Sequence, residues 1–585
     1  DKLIRYASGA GEMGAWRTGI TFVADDGDPD FPNIHQSDAD QLARQVATQR
    51  PAVGIEKIYV DSYAQVSTPS GQTAPLVNSA ITNALNAGRL IVNYTGHGGE
   101  TGWAAEQIVT FADILNWKNQ RLPLFITATC EFGRFDNPAE TSGAELTLLN
   151  TQGGGIALLT TARPVYSYTN ARLNGAFYDA FEQGIKTGSL RLGDLMRLTK
   201  NESIAGVANR NFSLLGDPSM QLAYPTAEVS LTEVNGKPLS DRTDTLRALA
   251  TVELAGEVIS AGRRLENFTG QAVVSLYDKP DTLATLGTEG GSPMKYTEYR
   301  NPLFRGQVSV QNGRFKVQFR MPKDIKYQPG RGKWTAYAVR ADSLLDATGS
   351  YDSLWIGGSA TNLVVDTTPP QIQLYVNDTT FKDGGTVQGP NVTIIGKLVD
   401  ESGITIARNG IGHQLTLQLN DEPATVVNDY FVGATDDYKA GRIEYTWRDK
   451  APGLYTVRLK AWDNYNNSSE ASLNFIISEQ PALTVQSVEV TPNPFEREAT
   501  FGVRHNRPGE TLEADLMITD LSGRVVTQQT YRCTACSEVW NELSWKGTTA
   551  GGAPVNRGLY VYRIILRLPA NGSQAIATGK LLYSR

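Results

Sequence analysis

The sequence predicts an α/β domain at the front of the chain and all-β sandwich modules behind it. Over the first 225 residues, apolar strand-like runs alternate with amphipathic helical runs. From Glu228 onward the runs are short, alternate strictly and are broken by turn residues. At 585 residues the chain exceeds what one hydrophobic core holds, roughly 250 to 300 residues, so several domains are required.

Asp1 to Tyr6 reads as the end of a helix feeding a strand, as in a mature chain that lacks a preceding region. Gly19 to Ala24 is a strand, and Ser37 to Gln49 is a helix because Ala39, Leu42, Ala43 and Val46 share one face; Ser37 is its expected cap, with Asp40 at the third helical position. Lys57 to Val60 is a strand, a helix enters through Pro75 and stops at Gly88, and Leu90 to Tyr94 is a strand. Helices at Phe111 to Trp117, Gly143 to Leu149 and Leu173 to Phe181 then alternate with strands at Leu124 to Thr129 and Ile156 to Thr160. Such alternation gives a largely parallel sheet covered by helices. In the tail, Gln271 to Tyr277, Arg314 to Arg320 and Trp334 to Arg340 read as sandwich strands, and Gly453 to Asp463 as a closing immunoglobulin-like strand. Proline-marked boundaries near Asp366 to Pro370 and Ser478 to Pro481 divide the chain into 1–225, 226–366, 367–480 and 481–585.

A formal charge of -7 and a pI near 5.4 leave no basic stripe to neutralise phosphates, so no nucleic-acid partner is expected. The sequence has no run of about 18 apolar residues to span a bilayer. Three cysteines leave one over when the close pair Cys533 and Cys536 oxidises. That pair reads as a short-loop disulfide or a reduced pair rather than zinc, since no second ligand pair stands nearby. The one left over is Cys130.

In parallel sheets, ligands sit beyond the carboxyl ends of the strands. There the chain places Asp25-Asp26-Gly27, Thr95-Gly96-His97-Gly98-Gly99 and Cys130. A thiol is mostly protonated at neutral pH, an imidazole can take its proton, and a carboxylate can fix the imidazole tautomer. The glycines beside His97 admit a substrate backbone, and the main-chain N–H groups of Gly98 and Cys130 are candidate oxyanion donors. On residue type alone, a Cys ending a strand is more often core, His97 could merely close a turn, and Asp25 and Asp26 are equal candidates for the acid. Co-location on one rim favours chemistry. No Gly-x-Ser-x-Gly, P-loop or His-Glu-x-x-His pattern competes. The acidic loops Asp25 to Asp30 and Asp463 to Asn467 could offer oxygens to calcium but lack the EF-hand spacing; solvated turns are the simpler reading, and no metal is assigned. His35 could serve as a ligand or in catalysis, but beside Pro32 and the Ser37 cap packing at a helix entrance is the simpler reading; His413 and His505 fall in β modules.

Three stretches, Asn93 to Trp103 (NYTGHGGETGW), Thr127 to Asp136 (TATCEFGRFD) and Asn211 to Ser219 (NFSLLGDPS), resemble the gingipain-type cysteine peptidases, which have a caspase-like α/β fold. Within that family Cys130 to Asn137, Gly153 to Thr161 and Arg191 to Asn201 are most similar to the surface sortases of type IX secretion. The resemblance covers about residues 1 to 225 and implies Cys130 as nucleophile, His97 as base and Asp26 as acid. Trp103 matches a tryptophan of the substrate cleft in arginine-specific relatives. Where those relatives continue the nucleophile with Val-Asn-Gly, this chain has Glu131-Phe132-Gly133, which puts Glu131 in the expected cleft and withdraws Arg or Lys specificity.

The resemblance further implies removal of the C-terminal sorting domain from exported cargo, transfer of the new carboxyl end to anionic lipopolysaccharide, and an outer-membrane surface location. Pro492 to Phe495, Asp520 to Gly523 and Gly558 to Arg563 are spaced like type IX sorting domains, and this module is expected to dock the outer-membrane barrel protein PorV. The alternatives are a secreted, purely hydrolytic endoprotease and a non-catalytic adhesin or scaffold built on the sandwich modules.

Overall fold

The computed structural model describes residues 2–8, 13–27, 30–69, 71–204, 208–240, 244–288, 290–361, 365–478, 483–569 and 572–585. Asp1, Asp28 of the first acidic loop and most of the Ser478 to Pro481 boundary lie outside them.

After helix α1 (Lys2–Ala7), the first domain is built on strands β1 (Gly19–Ala24), β2 (Gly54–Tyr59), β3 (Ile91–Thr95), β4 (Leu124–Ala128), β5 (Ala157–Thr161) and β6 (Phe212–Leu215). Their order across the sheet is β6-β5-β4-β3-β1-β2, parallel except for β6 against β5. Helices α2 (Ile34–Gln49), α3 (Pro75–Ala87), α4 (Phe111–Asn116), α5 (Gly143–Leu149), α6 (Ser167–Thr187) and α7 (Leu192–Glu202) complete the domain. Apolar residues fill both faces. One core joins Ile20, Phe22, Leu124 and Ile126 to Phe177 and Phe181 of α6, and the other joins Val23, Val92 and Phe125 to Val77 and Ile81 of α3. Helix α2 begins three residues before the expected Ser37 cap: Asn33 occupies the cap position without a side-chain bond to the helix, and Ser37 is exposed within the helix.

Ten of the twelve strands of the second domain, from Ala227–Val234 to Asp346–Ser359, hydrogen-bond as one connected sheet around a core that includes Phe319 and Trp334. The third domain faces a four-stranded sheet (Gln371–Val376 to Asp437–Trp447) with a five-stranded one containing Gly453–Trp462 and Ser468–Ser478. The fourth pairs a three-stranded with a four-stranded sheet, and Cys533 and Cys536 are disulfide-bonded at its edge. Among the described residues no helix is long and apolar enough to cross a membrane.

A hairpin of the second domain (Asp281–Ala284 and Lys295–Glu298) reaches back to the first. Tyr296 packs edge-on to Tyr59, with ring centroids 4.9 Å apart, in a cluster that includes Ala24 and Ala39. The Asp61 carboxylate accepts the N–H groups of Gly287 at 2.7 Å and Thr288 at 2.8 Å, and Asn33 Nδ2 donates to the Ser292 carbonyl at 2.8 Å.

Candidate active site

The chain runs from β1 out to β2 and returns on the other side of β1 as β3, so the order reverses at the β1/β3 junction. A crevice opens at such a point, beyond the carboxyl ends. The register fixes what borders it. Ala24 pairs with Thr95 and Thr95 with Ala128, so the last residues of β1, β3 and β4 lie abreast. Asp25 N–H extends the ladder to the Thr95 carbonyl at 3.0 Å, and Gly96 N–H to the Ala128 carbonyl at 3.4 Å. Asp25 and Asp26, His97, and Cys130 therefore leave three neighbouring strands one or two residues past the same line. Adjacent strands lie about 4.8 Å apart.

The His97 loop is held from below. The Asp25 carboxylate accepts the His97 main-chain N–H at 2.9 Å, and the Tyr94 hydroxyl donates to the His97 carbonyl at 2.5 Å. A tiny three-stranded sheet, Gly98–Gly99, Gly102–Trp103 and Val109–Thr110, folds the chain back on itself. Gly98 lies against the residue before the thiol: a Cβ there would be 2.6 Å from Thr129 Oγ1 and 2.9 Å from the Gly102 carbonyl. The absence of a side chain at Gly98 thus lets the histidine loop press onto the cysteine loop.

The sulfur of the partly buried Cys130 accepts the Val165 N–H at 3.5 Å and lies 3.6 Å from the Val165 carbonyl. Val165 immediately precedes the cap of the 21-residue helix α6, so the sulfur sits at the partially positive end of a long helix. Glu131 turns the chain with a positive φ of 54°, unusual for a residue with a side chain, and sends Phe132 into the core. Beyond it, Arg134 bonds Glu100 at 2.8 Å and Glu131 at 3.5 Å, and the Gly143 N–H donates to the Glu100 carbonyl at 2.7 Å, joining the two loops.

Trp103 does not line a cleft. It is 1 % exposed, stacked on Tyr94 with centroids 4.4 Å apart and edge-on to Phe125 and Phe132. An apolar ring of that size is better buried beneath the loop than left in water, so Trp103 is the floor on which His97 and Cys130 stand. Glu131 is partly exposed beside the thiol. Asp26 accepts Gln65 Nε2 at 2.9 Å, while the main-chain anchor of His97 falls to Asp25.

Two contacts escaped the sequence reading. His35, read as packing at the helix entrance, is indeed buried in the first turn of α2, but its ring stands perpendicular to that of His97, centroids 5.0 Å apart. Under the sheet, α6 presents Asn170, Asn174 and Tyr178 at four-residue spacing. Asn170 Nδ2 donates to the Ala128 carbonyl at 3.1 Å, Asn93 Nδ2 to Asn174 Oδ1 at 3.2 Å, and Asn174 Nδ2 to Thr95 Oγ1 at 3.3 Å. The spacing of the two asparagines on one helical face was the available signal.

Asp25, Asp26 and Glu106, all buried, each bring an oxygen within 4.8 Å of the others; Asp366, Asp400 and Asp463 do the same between the second and third domains. Three carboxylates supply part of the six to eight oxygens calcium takes. Burial pushes the Asp25 carboxyl well above the usual range, the Asp26 and Glu106 charges push the same way, and the His97 N–H pulls against them.

The sequence model of peptidase family C25 matches residues 1–223. Dimeric latent PorU from Porphyromonas gingivalis is 20 % identical over 96 % of this chain, with a TM-score of 0.30, and the chain spans 64 % of the length of that structure. The Arg-specific cysteine proteinase gingipain R (RgpB) is 17 % identical over 60 % of this chain and 71 % of its own, with a TM-score of 0.32. Fibronectin(III)-like modules of Clostridium thermocellum CbhA align with 36 % of the chain and 93 % of their own at 10 % identity and a TM-score of 0.20. No curated protein matched in sequence.

Proposed function

We propose, from the match of residues 1–223 to the sequence model of peptidase family C25, the gingipain family of cysteine peptidases, that the chain cleaves polypeptides with Cys130 as nucleophile and His97 as base. The common register of Ala24, Thr95 and Ala128 carries this reading, because it delivers acid, imidazole and thiol to one rim. His97 takes the Cys130 proton, the sulfur attacks the scissile carbonyl, and the oxyanion is received by the Gly98 and Cys130 N–H groups. His97 then protonates the leaving amine, and the acyl-Cys130 thioester is resolved by water or by an amine. Asp26 or Asp25 orients the imidazole. This chemistry calls on no cofactor; a calcium ion, where bound, would belong to the acidic loops.

The finer reading is a sortase. The sequence likeness to PorU in Cys130 to Asn137 and Arg191 to Asn201 supports cleavage of the C-terminal sorting domain of type IX cargo and attachment of the cargo to lipopolysaccharide at the outer-membrane surface, with the last domain docking PorV. A thioester serves hydrolysis and ligation alike, so the acceptor decides.

Incubation of purified cargo with the full chain and with its Cys130→Ala variant, followed by mass analysis of the new carboxyl ends, tests both levels. The expected result is a product only with the native thiol, carrying a sugar-lipid fragment when lipopolysaccharide is supplied. Cleavage that survives Cys130→Ala would defeat the peptidase reading, and a free carboxyl end in the presence of the acceptor would defeat the sortase reading.

A further inference from the structure

Exposed apolar side chains scattered singly over a surface are ordinary, whereas a cluster of them marks a binding site. Among the described residues of the first domain, the strongly exposed aromatic side chains are Phe31, Phe135, Tyr166 and Tyr168, at 63 %, 51 %, 67 % and 67 %. All four lie just beyond the carboxyl ends of strands. Phe31 is in the loop after β1, Phe135 in the loop after β4, and Tyr166 and Tyr168 at the start of α6 after β5. Most exposed aliphatic residues lie elsewhere: Ile4, Leu76, Leu115 and Leu149 sit on four different helices and Ile204 just past α7, while Val66 alone follows a strand's carboxyl end, in the loop after β2.

Three of the four, Phe135, Tyr166 and Tyr168, are also tied to the thiol. Val165, whose N–H meets the Cys130 sulfur, is followed directly by Tyr166, and the Tyr166 and Tyr168 rings stack with centroids 5.9 Å apart. Arg163 grips Asp136 through two bonds, 2.9 and 2.5 Å, bringing the Phe135 loop against the Tyr166 loop. Arg163 pairs with Asp136, and Arg134 is shared by Glu100 and Glu131, which leaves one carboxylate charge in excess beside the thiol. Apart from that charge, what the rim offers a substrate beyond its main chain is aromatic surface.

We infer that these loops form an aromatic collar that binds an extended polypeptide carrying large apolar side chains beside the bond Cys130 attacks. The inference rests on the peptidase reading for its occupant, since a surface continuous with the nucleophile is covered by the chain being cut. It assigns a substrate class that differs from basic-residue specificity.

The test uses the full chain carrying Cys130→Ala, so that peptides bind without turnover. Fluorescence polarisation compares a labelled peptide rich in Phe and Leu with counterparts rich in Ser and Gly or in Lys and Arg. The expected result is binding of the apolar peptide about tenfold tighter, the order of discrimination apolar pockets achieve. That margin should vanish when Tyr166→Ser and Tyr168→Ser are added; both side chains face solvent, so the fold is retained, as circular dichroism would check. Equal binding of all peptides, preference for the basic one, or a margin that survives the double substitution overturns the collar. Cleavage of the same peptides by the chain with its native thiol separates the two levels. Turnover without apolar preference sinks the collar and leaves the peptidase standing, whereas tight apolar binding without any turnover sinks the peptidase and leaves the collar.

Discussion

Asp25 holds His97 by its main chain: one carboxylate oxygen accepts the histidine N–H at 2.9 Å, and the other bonds the N–H of Asp26 at 3.1 Å. Asp25→Ala leaves the His97 N–H without this acceptor, a loss of about 1–3 kcal/mol, while Asp25→Asn keeps a carbonyl oxygen in place. We therefore expect Asp25→Ala to lower both the unfolding free energy and kcat, and Asp25→Asn to do so weakly. Asp26→Asn should lower kcat with little change in stability. A stability loss for Asp26→Asn as large as that for Asp25→Ala, measured by urea denaturation, would reverse the assignment.

The raised Asp25 carboxyl has a consequence for pH. Burial, with Asp26 and Glu106 adding to it, makes the folded chain hold this proton above the pH at which the unfolded chain releases it. The folded state then binds more protons, so this group makes stability fall as pH rises from the ordinary carboxylate range toward the raised value, by at most about 1.4 kcal/mol per pH unit. Asp25→Asn should flatten that limb. Urea midpoints from pH 4 to 8 read the slope, and an unchanged slope would place the proton elsewhere.

Gly98→Ala forces a methyl group to within 2.6 Å of Thr129 Oγ1 and 2.9 Å of the Gly102 carbonyl, so the histidine loop must lift from the cysteine loop. A displacement on the order of 1 Å costs about a hundredfold in rate. Peptide turnover should drop by that order while iodoacetamide still labels Cys130. Full turnover would show that the two loops have slack.

Because Trp103 is a floor and not a cleft wall, Trp103→Ala should cost roughly 3–5 kcal/mol of stability, as large aromatic deletions from cores do. Thermal unfolding is the measurement. A stable variant with a raised KM alone would return Trp103 to the cleft.

His35 lies edge-on to the His97 ring, so His35→Ala should lower kcat several-fold with KM near its native value, and His35→Phe, which keeps a ring there, should restore most of it. Failure of the Phe variant to rescue would show that the imidazole nitrogens matter more than the ring.

The parts of the site legible in the sequence were those set by local chemistry. Gly19–Ala24 and Gly143–Leu149 fall where periodicity puts them, and the strand ends before His97 and Cys130 follow from runs such as Leu124–Ala128. What stayed hidden depends on partners distant in sequence. Whether Asp25 or Asp26 meets His97 turns on which side chain of the β1 end faces the β3 loop, and two adjacent aspartates carry no such mark. Trp103 was misplaced because a tryptophan after a glycine-rich turn reads the same beside a cleft or under one, until Tyr94, Phe125 and Phe132 close around it. His35 is 62 residues from His97 in sequence, and only the fold of β1 and α2 brings the rings together.

The hairpin that carries Tyr296 makes the structural unit larger than the α/β domain. Tyr296 packs with Ala24, the residue just before Asp25, and Asn33, two residues before His35, is tethered to Ser292. A graft of residues 1–225 alone would thus carry the thiol and the imidazole but lose one wall of the loop that steadies them. The sandwich surface behind that hairpin therefore bears on how firmly the His97 and Cys130 loops are held, although no atom of the hairpin lies at their rim.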